Sequence, residues 1–171
     1  HIELGLSLLS YQLYGMLLGG FIWGVLGDKL GRIKVLFGSI LLYSIGNILN
    51  AFVWSVPSYA VCRFISGIGL AGEIGAGVTL VVELMKKSER GIGTAILAAS
   101  GTFGALAASL SGQFLDWRVS YLIGGGLGLI LLFLRFNLNE SGLFNNLVGN
   151  SNVSRGSLKV LFCSKVRLKK Y

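Results

Sequence analysis

Apolar residues run along this chain in long blocks. Between Glu3 and Asp28, between Lys34 and Arg63, and between Arg90 and Asp116, no Asp, Glu, Lys or Arg interrupts the sequence. A helix crossing the hydrocarbon core of a bilayer needs about 20 mostly apolar residues, and each block is long enough. The pattern predicts five spans: Ser7 to Leu26, Val35 to Val53, Tyr59 to Leu84, Ile92 to Leu115 and Val119 to Leu138. The connectors DKLGRIK, WSVPS, KKSERG and DWR are short, so consecutive helices are expected to be antiparallel neighbours.

Composition narrows the class. Of the 171 residues, 53% are hydrophobic and 13% charged, with 26 glycines against one proline. A soluble domain carries about 25% charged residues and about 7% glycine. Disorder is excluded by the apolar fraction, and collagen by the lack of a Gly-X-Y period. An integral membrane protein remains. Two cysteines, Cys62 and Cys163, make neither a disulfide scaffold nor a four-ligand zinc site. The only histidine is His1, and no Ser or Cys sits beside a base. An enzyme is therefore not expected, nor any metal or cofactor.

The formal net charge of +8 would point to nucleic acid in a soluble protein. Here its placement reads as topology. Lys29, Arg32 and Lys34 share one connector and Lys86, Lys87 and Arg90 another; Arg135, Arg155, Lys159, Lys165, Arg167, Lys169 and Lys170 lie in the tail. Basic residues in short loops are held on the cytoplasmic side, so both connectors and the tail are expected there, in a multi-pass protein of the cell (inner) membrane. The expected partner is the lipid bilayer, with no nucleic acid. The first residues, HIELG, then fall outside with no initiator Met, which predicts an interior piece or a truncated chain lacking an earlier helix. No cleavable signal pattern precedes Ser7 to Leu26.

Three constellations carry candidate chemistry. The run from Gly24 to Lys34 places Asp28 beside Lys29, Arg32 and Lys34, with Gly24, Gly27 and Gly31 allowing tight turns. A basic membrane anchor would need neither Asp28 nor Gly31. The span from Tyr59 to Leu84 carries Arg63, Glu73 and Glu83 ten residues apart, about 15 Å along a helix. Glu73 falls near the bilayer midplane, where a charge costs about 2.5 to 3.5 kcal/mol and by default marks a cavity or a partner. Arg63 is too distant to neutralise it. Glu73 needs another partner, a proton or water; the alternative is a protonated carboxyl hydrogen-bonded to a neighbouring helix for structure alone. Within the same span, Gly67, Gly69 and Gly72 spell GxGxxG, but a dinucleotide site needs a strand before that string. These glycines read as a smooth helix-packing face, as do Gly15/Gly19, Gly20/Gly24, Gly101/Ala105, Ala108/Gly112 and Gly124/Gly128. Finally, Glu83 and Arg90 flank KKSE, so a network of Asp28, Arg32, Glu83 and Arg90 is geometrically possible. Exposed ion pairs contribute about 0 to 1 kcal/mol each, which suits a latch.

These segments resemble the N-terminal half of a major facilitator superfamily transporter. The family loop pattern G-x-L-A/G-D-R/K-x-G-R-R/K is met by Gly24, Leu26, Gly27, Asp28, Lys29, Gly31 and Arg32, with Ile33 the one departure. The pattern R-x-x-x-G-x-G is met by Arg63, Gly67 and Gly69. RFISGIGLAGE, Glu83, Arg90-Gly91, DWR and NESGLF look most like the metabolite:proton symporter branch that includes proline/betaine carriers. That branch and the sugar porters usually carry a proline after Glu83, which is absent here, and so is the antiporter G-P pair.

The resemblance covers residues 1 to about 147. It implies an all-α membrane protein: five transmembrane helices of an incomplete six-helix N-terminal bundle, the first family helix missing, followed by a basic cytoplasmic loop or tail over 148–171. It further implies proton-coupled symport of a small polar metabolite. Arg63 and Glu73 would line the transport pathway. Gly24, Asp28, Lys29, Gly31, Arg32, Glu83 and Arg90 would form the cytoplasmic gate, and Gly67, Gly69 and Gly72 the packing face. Partners would be a metabolite, a proton and the missing C-terminal half, without which the piece is not expected to transport. A sugar-porter-like facilitator and a non-transporting truncated product remain the alternatives.

Overall fold

The computed structural model describes the backbone of residues 2–134 and the side chains from Ser7 onward. The tail over 148–171, NESGLF and the end of the fifth predicted span lie outside the described residues. Five α-helices follow one another: α1 (Ile2–Leu30), α2 (Arg32–Ala51), α3 (Val56–Leu84), α4 (Arg90–Phe114) and α5 (Trp117–Leu134). Each is long and apolar enough to cross a membrane, and no strand occurs among the described residues. The fold is all-α, and the GxGxxG string stays inside α3.

The helices begin earlier or run further than their apolar cores because backbone hydrogen bonding continues into the charged flanks. The first connector is the sharpest correction. DKLGRIK is not a loop: α1 runs to Leu30, α2 starts at Arg32, and Gly31 alone separates them. Its φ of 102° is the one positive φ among the described residues and lies where a Cβ is strained. Backbone bonds span the break, from Gly31 N–H to Gly27 O at 3.2 Å and from Val35 N–H to Gly31 O at 3.4 Å. At the other end, Ser55 caps α3 by accepting from Ser58 N–H, and Pro57 occupies the first turn, where its missing donor costs nothing.

Packing follows chain order only in part. α3 lies against α1 and α2, and α2 also packs on α5, whereas the consecutive pairs α1–α2, α3–α4 and α4–α5 touch little. Short connectors reverse direction as expected, but of the consecutive pairs only α2–α3 makes one of the main contacts. Surface shape decides. Gly15 and Gly19 of α1 sit against the backbone at Phe64 and Ile68 of α3, so these two helices run parallel. On α3, Gly67 faces Gln12 and Met16 of α1, Gly69 faces Ser39 and Tyr43 of α2, and Gly72 meets Ser39 and Trp23. Trp23 donates its indole N–H to Ile68 O at 2.8 Å, tying α1 to α3. Gly125 and Gly128 of α5 lie against Ile48 and Ser44 of α2. Val35, Leu36 and Ala76 form the buried apolar cluster, bordered by Trp23, Leu26 and Leu80. By contrast α4 buries only Gly93 among its residues, and a Cβ at Gly101 or Gly112 would meet open space. The small-residue pairs of α4 are therefore not used for packing among the described residues.

Candidate functional site

The bundle presents chemistry at both ends. At one, Arg32 opens α2 directly after the Gly31 turn and reaches carboxylates on two other helices. Its Nη2 lies 3.0 Å from Asp28 Oδ1 of α1, and its Nε lies 3.5 Å from Glu83 Oε1 of α3. Arg32 and Glu83 are mostly buried, their side chains 21% and 18% exposed, while Asp28 is half exposed. Gly27 makes room for this: a Cβ there would stand 2.7 Å from Arg32 Nη1. One guanidinium thus joins three helices at a single turn.

Two residues expected at this gate stand apart from the ion pairs. Arg90 Nε donates to Met85 O at 3.3 Å, closing the C-terminal end of α3 instead of meeting Glu83. Across the short turn into α4, that carbonyl is the acceptor its side chain reaches. Lys29 is exposed and outside the ion pairs. Gly24 is not a point of close approach, since a Cβ there would find nothing within 4 Å. It lines, with Gly20, Trp23, Gly72, Gly75 and Arg32, a cavity of about 140 Å³ between α1, α2 and α3.

At the opposite end, Arg63 of α3 is held by neutral partners. Nη1 donates to Gln12 Oε1 of α1 at 2.8 Å, Nε and Nη2 donate to Tyr59 Oη at 3.1 and 2.9 Å, and Nη2 also donates to Tyr121 Oη of α5. The two tyrosine hydroxyls are bonded to each other at 2.7 Å. The guanidinium carbon lies 5.3 and 4.9 Å from the Tyr59 and Tyr121 ring centres. Sequence reasoning does not single out Gln12, Tyr59 or Tyr121. The available signal is Tyr59 four residues before Arg63, one helical turn, and the aromatic residues crowding WSVPSY and DWRVSY.

Glu73 lies half-buried in α3, between these two ends. The bonds of Arg63 go elsewhere, in keeping with the ten-residue separation. Neither Arg63 nor Glu73 lines the cavity under Arg32 or the open cleft at the Arg63 end.

Comparison with known proteins identifies the family. A model of the Major Facilitator Superfamily matches residues 1–167. The sialic acid transporter NanX of Escherichia coli (strain K12) is 34% identical over 128 residues, which cover 72% of this chain and 32% of that protein. The niacin transporter NiaP of Acinetobacter baylyi (strain ATCC 33305 / BD413 / ADP1) is 34% identical over 122 residues, 69% of this chain and 28% of that protein. Among solved structures, the proton:xylose symporter XylE bound to 6-bromo-6-deoxy-D-glucose superposes with a TM-score of 0.72 at 21% identity, covering 87% of this chain and 38% of that one. The chain spans about a third of the length of the curated relatives it matches. With the family match extending over nearly the whole sequence, the chain belongs to the Major Facilitator Superfamily.

Proposed function

We propose that this chain forms part of a secondary active transporter that carries a small polar metabolite together with a proton. The observation that carries the reading is Arg32, which bridges Asp28 and Glu83 across three helices at a one-residue turn. Partly exposed ion pairs contribute about 0 to 1 kcal/mol each. Such a lock holds one state of a rocking bundle and still releases it. In this reading residues 1–147 are the membrane unit, 148–171 a basic cytoplasmic loop, and the Arg32 end faces the cytoplasm of a cell membrane. Gly24 and Gly31 shape the gate, Lys29 and Arg90 flank it, and the rest of a full-length carrier supplies the opposing bundle. The names of matched relatives, sialic acid and niacin, favour an organic acid as cargo over proline or betaine.

Glu73 is the proposed proton carrier. Its midplane position makes the ionised form costly, so its charge is tied to the polarity of what stands beside it. Arg63, committed to neutral partners, orders the pathway at the other end. The test is Glu73→Gln in a full-length carrier containing this chain, reconstituted in proteoliposomes. Gradient-driven accumulation should be lost while substrate exchange across the membrane persists. Retained accumulation with an unchanged pH profile would leave Glu73 a structural carboxyl.

A further inference from the structure

At the Arg63 end, an open cleft of about 440 Å³ lies between the α2–α3 connection and the start of α5. Ligand pockets commonly measure about 300 to 1,000 Å³. Trp54, Tyr59, Trp117 and Tyr121 supply aromatic surface and Arg118 supplies charge, and none of the lining residues is acidic. Tyr59, Trp117 and Tyr121 pack edge to face, with centroids 6.1 to 6.2 Å apart. The Arg118 guanidinium stands 4.2 Å from the Trp54 ring centre and 5.1 Å from that of Trp117, and one Nη donates to Val53 O at 3.5 Å. A guanidinium has five N–H donors. Most of those on Arg118 are left unspent, and it forms no ion pair among the described residues.

The cleft therefore combines flat aromatic walls with a half-buried cation.

We infer that this cleft binds small planar aromatic carboxylates, with the carboxylate on the unspent donors of Arg118 and the ring against Trp54 and Trp117. Neutral aromatics would lose the charge-assisted bonds, and non-planar acids would lose the ring contacts. Binding here does not depend on transport; only the use of the site, as a reception point for cargo, rests on the carrier reading.

Val56 lines the cleft and is exposed, so Val56→Cys provides a reporter. In a full-length carrier with Cys62→Ser and Cys163→Ser, benzoate should slow labelling of the introduced thiol by a membrane-impermeant maleimide. Cyclohexanecarboxylate and benzamide should protect several-fold less well. Adding Arg118→Gln should raise the half-protecting benzoate concentration about tenfold, the value of one charge-assisted bond, and Trp54→Leu should raise it by a smaller factor. Absence of protection, equal protection by benzoate and cyclohexanecarboxylate, or protection by an anionic phospholipid but not by benzoate would each overturn the assignment. Uptake measured on the same preparation separates the two readings: uptake without protection removes the cleft site, and protection without uptake removes the carrier.

Discussion

Each end of the bundle is organised by one arginine that reaches three helices, and the two solve the problem differently. Arg32 joins α1, α2 and α3 through two carboxylates. Arg63 joins α1, α3 and α5 through an amide oxygen and two hydroxyls. Ionic pairs near water are cheap to break and sensitive to salt. A guanidinium satisfied by neutral acceptors keeps its charge, and removing it strands the acceptors. In the proposed carrier the Arg32 end is the one that opens, and the Arg63 end stays assembled.

Both ends depend on the same scaffold, so the largest effect is expected from breaking it. Gly69→Val places a Cβ about where the Tyr43 backbone nitrogen and Ser39 carbonyl already stand, at 2.5 and 2.8 Å. Backbone cannot yield as a side chain tip does. A loss of about 3 kcal/mol is expected, at or above the upper end for overpacked cores, seen as loss of monodisperse protein on size exclusion after mild heating. Gly101→Val, on the open face of α4, is the control within this chain and should leave the described packing intact.

Next in size is Arg63→Leu. It leaves Gln12 and the tyrosine pair without their donor at an interface shared by three helices, at a cost of about 1 to 3 kcal/mol. Unfolding in mixed micelles should shift accordingly and should not respond to salt. Unchanged stability would remove the argument that this end is held by Arg63.

Arg32→Ala should invert that pattern. Stability should change by about 1 kcal/mol or less, while uptake by the full-length carrier falls about tenfold, the shift that 1.4 kcal/mol makes in a two-state balance. Asp28→Ala should act in the same direction, less strongly because that carboxylate is half exposed. Raising salt from 0.1 M toward 1 M shortens the screening length from about 10 to about 3 Å. It should therefore reproduce part of the Arg32→Ala effect in the unaltered protein and none of the Arg63→Leu effect. Normal uptake in both variants would reduce the turn to a topological anchor.

The five helices are legible in the sequence because a bilayer imposes a length and excludes charge, and both show in the uninterrupted blocks. The Arg32 end is legible in outline for a similar reason: Asp28, Gly31 and Arg32 are close in the chain, and a glycine set among charges at the end of an apolar block marks a sharp turn. Arg90 does not join that network, because sequence proximity to Glu83 says nothing about which acceptor lies nearer, and the acceptor is a backbone carbonyl. The Arg63 cluster is hidden because Gln12 and Tyr121 are 51 and 58 residues away from Arg63 in sequence. Only the packing of α3 against α1, and of α3 and α5 on the same helix α2, brings them together. Chain order misleads in the same way for part of the packing, since small residues at an interface announce a close neighbour without naming it: α2–α3 is a main contact, but so are α1–α3 and α2–α5.

The smallest effect is expected at Lys29, and it tests what the Arg32 end is made of. Lys29 belongs to the same charged turn as Arg32, carries the same charge and lies three residues before it, so a reading based on net positive charge treats the two alike. The structure does not. Arg32 is mostly buried and paired with two carboxylates, whereas Lys29 is exposed and forms neither pair. A solvated ammonium contributes by long-range attraction alone, which is screened within about 8 Å at physiological salt. Lys29→Gln should therefore change stability by less than about 0.5 kcal/mol, the usual range for a surface substitution, and leave uptake within about twofold. Orientation should hold as well, because Arg32, Lys34, Lys86, Lys87 and Arg90 still bias the same side. If Lys29→Gln instead matched Arg32→Ala in uptake, the work of this turn would lie in its charge and not in the bridge between helices, and the contrast between the two ends would lose its physical basis.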